Sequence, residues 1–118
     1  MRVLQVSAAA LLIARRRYPR RWRAENAVRH FVWQAWLAAT FGRDVADAVG
    51  RAHERLSMDA ADSAVDVRNN RIGQDYGLAH AEEIRSRPMR PALSTLADEA
   101  GRLWSAGRLG VSGPTEER

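Results

Sequence analysis

Residues 24–41 read AENAVRHFVWQAWLAATF, and this stretch decides the fold. Successive residues sit about 100° apart around a helix axis. On that wheel Val28, Phe31, Val32, Ala35 and Ala39 share one side, with Trp36 at its flank. Asn26, Arg29, His30, Trp33 and Leu37 share the other. A helix that is apolar on most sides is a buried helix. Burying an arginine and a histidine is costly unless other groups satisfy them. The chain must therefore supply polar partners elsewhere. Gly42 is placed to end this helix.

Working outward, four more helical segments are expected and no strand. The first spans about Val3 to Arg17 and stops at Tyr18-Pro19. The third spans about Asp44 to Leu56, with Val45, Ala48, Val49, Ala52 and Leu56 at helical spacing. The fourth begins near Asp59 or Asp62 and extends to Arg85, after which Pro88 and Pro91 punctuate the chain. The fifth begins just after Pro91. Leu93, Leu96, Ala97, Ala100, Leu103 and Trp104 form its apolar stripe, and Gly107 and Gly110 end it. The expected architecture is an all-α, small single-domain bundle of about five helices over residues 1–110. Residues 111–118 read as a flexible tail.

The fourth segment offers the missing partners. Residues 62–80 read DSAVDVRNNRIGQDYGLAH. Asp62, Asp66, Asn69, Gly73, Tyr76 and His80 recur at intervals of four and three, with Asn70 and Gly77 at the edge. Arg68, Arg71, Gln74 and Asp75 lie roughly opposite and suit solvent better, so the Asp/Asn stripe is expected to face inward. Arg29 can pair with Asp62 or Asp66. His30 can donate to a carboxylate or amide oxygen, and Asn26, Asn69 and Asn70 can bridge the rest. Gly73 lets a neighbouring backbone come close. On the third helix His53 lies near the apolar face, whereas Glu54 points away from it. The zinc-protease spacing is absent, because Ser57 stands where its second histidine would fall and Met58 follows it. His80 reads as a satisfied or solvated histidine.

Composition narrows the chemistry. The 118 residues contain no cysteine, which excludes disulfides, thiolate metal sites and a cysteine nucleophile. All nineteen cations are arginine, so Schiff-base chemistry and a lysine-bearing phosphate loop are excluded as well. The net charge is +5, with Arg15, Arg16, Arg17, Arg20, Arg21 and Arg23 concentrated early. That cluster reads either as a solvated helix end or as a grip on an anionic partner, whether nucleic acid, acidic protein or a membrane surface. Residues 3–14 are mostly apolar but too short to cross a bilayer, which takes roughly 20 residues. They read as a buried helix, a partner-protein contact or a membrane-surface contact. Arginines follow where a signal peptide would have a cleavage site, so no clear signal peptide is read, and the location stays open between cytoplasmic and delivered as an effector.

Three segments together resemble a known family. They are Asn26-Ala27-Val28-Arg29-His30-Phe31-Val32-Trp33, then His53-Glu54, then Asp66-Val67-Arg68-Asn69-Asn70-Arg71-Ile72-Gly73. The family is an uncharacterised bacterial domain with the signature Asn-x-x-Arg-His-x-x-Trp, His-Glu, Asp-x-x-Asn-Asn-x-x-Gly. It occurs alone or at the ends of larger, sometimes toxin-like proteins. The resemblance covers about residues 26–77, leaving the first and last helices outside. It implies that Asn26, Arg29, His30, His53, Glu54, Asp66, Asn69 and Asn70 converge, and so favours bringing Glu54 inward.

Two functional readings follow. In the first the protein is a hydrolase with His30, His53, Glu54 and Asp66 as catalytic residues. His30, His53 and Asp66 would hold a divalent metal ion, zinc first among candidates, with a position left for water. A metal-free version would use a histidine as general base. Asn26, Arg29, Trp33, Asn69, Asn70 and Gly73 would bind an anionic substrate, a phosphodiester or phospholipid, or complete the network. In the second reading the polar network only fixes helix register. The protein is then a non-enzymatic interaction module acting through its arginine-rich N-terminal third.

Overall fold

The computed structural model describes residues 2–55 and 60–110, and leaves the side chains of residues 60–63 undescribed. Among these residues the chain forms six helices and no strand: α1 Arg2–Arg17, α2 Trp22–Phe41, α3 Arg43–Glu54, α4 Ala60–Ala79, α5 Ala81–Arg85 and α6 Met89–Ser105. The all-α bundle expected from the sequence is the architecture observed. The sixth element arises because the long fourth segment breaks at His80, whose φ of −119° and ψ of 25° leave the helical region. His80 stacks on Tyr76 with ring centroids 4.1 Å apart, and no proline or glycine marks the break.

α2 is the axis of the molecule and contacts all five other helices. From residue 27 to residue 39 every side chain except Arg29 is buried. α1 lies antiparallel to it: Arg2 covers the Trp36 ring at one end, and Arg15 pairs with Glu25 at the other. The reversal between them is a tight turn in which the Arg21 N–H donates to the Tyr18 carbonyl oxygen. Arg20 takes φ = +65°, as the third residue of a type II turn must. Gly42 makes the next reversal at φ = +96°, a conformation that costs only glycine little.

α6 buries its expected stripe, with Leu93, Leu96, Ala97, Ala100 and Trp104 inside. It begins two residues before Pro91. That proline falls within the first turn, where its missing N–H would have had no helical acceptor. The helix ends in a Schellman motif: Gly107 at φ = +72° donates to Trp104 O, and Arg108 N–H donates to Leu103 O. Gly107 thus ends α6 as expected, whereas Gly110 serves another purpose described below. The tail at 111–118 lies outside the described residues.

α4 runs beside α2 in the same direction and very close to it. A Cβ at Gly73 would stand 2.7 Å from Phe31 O, and one at Gly77 would collide with the Ala35 backbone. Only glycine at both positions permits this separation. α3 completes the wall, packing on α2 and α4. Among the described residues no helix is long and apolar enough to cross a membrane.

Candidate functional site

The α2–α4 contact is a ladder of polar rungs. Asn26 donates to Asp66 Oδ1 at 2.6 Å, His30 Nδ1 meets Asn70 Oδ1 at 2.7 Å, and Gln74 Nε2 donates to Gln34 Oε1 at 2.7 Å. Each pair is separated by 40 residues, so the rungs climb one helical turn at a time along two helices in register. His30, Gln34, Asp66, Asn70 and Gln74 are all buried. Buried polar pairs of this kind help to specify a unique packing.

The second rung has a chemical consequence. The amide oxygen of Asn70 can only accept, so with that oxygen facing it, His30 Nδ1 carries the ring proton. His30 Nε2 is then left with its lone pair. This nitrogen is buried and makes no hydrogen bond, although Asp66 Oδ2 stands 3.5 Å away. Burial pushes the His30 pKa down to about 3, helped by the Arg29 charge and opposed by the bond to Asn70. At neutral pH the ring is therefore neutral.

His53 reaches the same place from the last turn of α3. Its ring centroid lies 5.3 Å from that of His30 and 5.5 Å from that of Trp33, edge to face in both cases. Trp33 also meets His30 edge to face at 5.7 Å. The indole therefore braces both imidazoles, and its own N–H is buried without an acceptor. Burial and Arg29 lower the His53 pKa, while Asp66 opposes the change. Glu54 follows directly, with both carboxylate oxygens shielded from solvent. One ligating atom from each of His30, His53, Glu54 and Asp66 lies within 4.8 Å of the other three.

The residues expected to meet divide as follows. Asn26, Arg29, His30, Trp33, His53, Glu54, Asp66 and Asn70 form one contiguous site. Glu54 corrects the helical-wheel expectation. α3 is flanked by both α2 and α4, so a side chain off its apolar face can still point inward. Arg29 does not form the expected direct pair with Asp66. It donates to Asn26 Oδ1 at 2.8 Å, and Asn26 relays the contact to the carboxylate. The Asp62 side chain lies outside the described residues.

Asn69 is buried beside the site but spends its amide elsewhere. It accepts from the Gly110 N–H at 2.8 Å and donates to the Gly110 carbonyl oxygen at 3.2 Å. Gly73 serves helix approach. Gln74, expected at the surface, is buried instead. It donates to both Gln34 and Asp47 and accepts from Arg43. Gln34, Gln74 and Asp47 are the network members that sequence reasoning missed. The signal was there: Asn26, His30 and Gln34 on one helix, and Asp66, Asn70 and Gln74 on the other, each recur every fourth residue.

Two recesses adjoin the cluster. One, of about 620 Å³ between α3 and α4, includes Glu54 and Asn70 in its walls, together with Arg51, Arg55 and Arg71. The other, of about 360 Å³ between α1, α2 and α3, is walled by Leu4, Ala8 and Leu11 and reaches Arg29, Trp33 and His53. The N-terminal arginines are partly engaged within the fold. Arg15 pairs with Glu25, Arg17 with Asp98, and Arg21 and Arg23 cover Tyr18 and Trp22. His80 stands apart, against Tyr76 and 3.8 Å from Glu83.

The chain belongs to the family described as domain of unknown function DUF6973, whose profile matches residues 1–99. The match takes in α1 and most of α6, so the family likeness is wider than the 26–77 segment that carries the motifs. No curated protein and no solved structure matches the chain.

Proposed function

We propose that this protein is a metal-assisted hydrolase of anionic esters, with His30, His53 and Asp66 as metal ligands and Glu54 as general base. One observation carries the reading. A buried, neutral imidazole directs an unbonded Nε2 toward a second imidazole and two carboxylates, all within 4.8 Å. Such a convergence of imidazole and carboxylate groups is the donor set a divalent cation takes. Two imidazoles and one carboxylate make a set that zinc accepts while keeping a place for water.

The second shell fits the same reading. Asn70 fixes the His30 tautomer and orientation, and Asn26 holds Asp66 by its other oxygen. A divalent ion bound here would supply Lewis-acid polarisation and ease the ionisation of a water molecule. Glu54 takes the proton of the attacking water as its oxygen bonds to the ester centre. As the ester bond breaks, the proton passes from Glu54 to the departing alkoxide. Arg29 offers a fixed positive charge to an anionic ester oxygen.

Metal analysis of the purified protein tests the proposal. One divalent ion per chain is expected, lost in His30→Ala and in His53→Ala. Glu54→Gln should keep the ion yet lose at least about a hundredfold in turnover of bis(4-nitrophenyl) phosphate, the usual scale for a general base. A protein that binds no ion, with an Asp66→Ala variant that merely unfolds, would favour the non-enzymatic helical module.

A further inference from the structure

We propose that the substrate is an amphiphile, a phosphate ester carrying an alkyl or acyl chain. Its chain occupies the recess beneath α1, and its phosphate lies toward the arginine-lined recess between α3 and α4. The proposal rests on the hydrolase reading for the bond that is cleaved, but the two recesses stand on their own geometry.

The recess under α1 has the character of a chain site. Leu4, Ala8 and Leu11 recur at helical spacing along one side of α1 and form its outer wall. Ser7, Trp33, Arg29 and His53 complete its lining. Its volume of about 360 Å³ is within the range of small-molecule sites, which are apolar with a few convergent polar groups. His53 belongs to the ligand cluster, so a chain seated here has its head at the reacting centre. Leu4 and Leu12 are 68% and 47% exposed along the same helix, leaving an apolar approach to the opening.

The recess on the other flank is matched to an anion. Arg51, Arg55 and Arg71 line it beside the carboxylates of Asp47 and Glu54, so cations outnumber acids there, and Arg guanidinium groups suit phosphate oxygens. Gly50 removes the side chain that would cover the Asn70 amide nitrogen, 3.1 Å from where its Cβ would stand. The first recess reaches the cluster through His53 and the second through Glu54, which are consecutive residues. A ligand with an apolar tail and an anionic head therefore meets both flanks of one centre. A small hydrophilic phosphate would leave the apolar recess unused.

The test is calorimetric titration of the full chain with n-alkyl phosphates, from ethyl to octyl, below their micellar concentrations. Kd should fall about fourfold per added methylene, the equivalent of ~0.8 kcal/mol per buried CH2. Ala8→Trp, at an exposed position in the recess wall, should fill the recess and flatten this dependence. The double variant Arg51→Gln/Arg71→Gln should weaken every homologue by a similar factor and leave the slope intact. A flat series in the natural protein, or a slope that survives Ala8→Trp, overturns the proposal. Metal content is measured on the same samples. A bound ion with a flat series sinks the chain site alone, whereas a steep series without a bound ion sinks the hydrolase reading alone.

Discussion

The two flanks of α2 are built on opposite rules. Toward α6 it meets leucines, alanines and Trp104. Toward α4 it meets Asp66, Asn70 and Gln74, with Gly73 and Gly77 closing the distance. The first contact is held by area removed from water and degrades gradually as atoms are removed. The second is held by paired polar atoms, and each lost partner strands a buried donor or acceptor. A small bundle can thus pack one side of its central helix by apolar area and the other by paired polar groups. α4 reverses the usual arrangement outright, turning amides inward while Val67 and Leu78 remain exposed.

Substitutions on the two flanks break this contrast in measurable ways. Gly77→Ala should have the largest effect, because the added Cβ meets Ala35 backbone that cannot yield without separating the helices. A loss of about 3 kcal/mol or more in urea unfolding is expected. Leu96→Ala on the apolar flank should cost about 3 kcal/mol through the cavity it leaves, with metal affinity unchanged. Asn70→Ala should cost less, about 2 kcal/mol for a stranded His30 N–H, yet weaken metal binding at least about tenfold by freeing the ring. Equal metal affinities in Leu96→Ala and Asn70→Ala would erase the distinction between the flanks.

Acid should probe the polar flank selectively. The His30 pKa is about 3 in the folded protein against about 6.5 when unfolded, so the unfolded chain binds the proton first. The stability associated with a neutral His30 is complete above pH about 6.5 and is lost as pH falls from there toward 3. His53 shifts in the same direction. In chelator-treated protein His30 alone should account for about 2 kcal/mol of lost stability between pH 7 and 5. Urea midpoints of the natural protein and His30→Gln across that range check it, since the variant should lack this component. The smallest effect is expected at Leu78→Gln, which should alter stability by no more than about 0.5 kcal/mol because the side chain is exposed.

Much of this arrangement was legible in the residue order. Buried polar groups on α2 require partners, and Asp66 and Gly73 stand on one stripe of α4 with Asn70 at its edge. The errors have physical causes. Gln74 lies only about 40° around the helix from Asn70, and the close approach allowed by glycine widens the inward face enough to include it. Glu54 was assigned by the apolar face of its own helix, yet α3 has neighbours on two sides. Asn69 shares the stripe of Asp66 and Gly73, but its partner is backbone at position 110, and backbone leaves no trace in side-chain patterns.

That last contact alters how the end of the described chain behaves. One asparagine amide both accepts from and donates to Gly110, imitating the reciprocal bonds of a β-bridge with a side chain. The Arg68 guanidinium lies over the same glycine. Five residues past the last helix, where amide protons normally exchange with deuterated water almost at once, the Gly110 proton is locked to α4. Its exchange should keep pace with the opening of the α2–α4 contact itself, making it a built-in reporter of that interface.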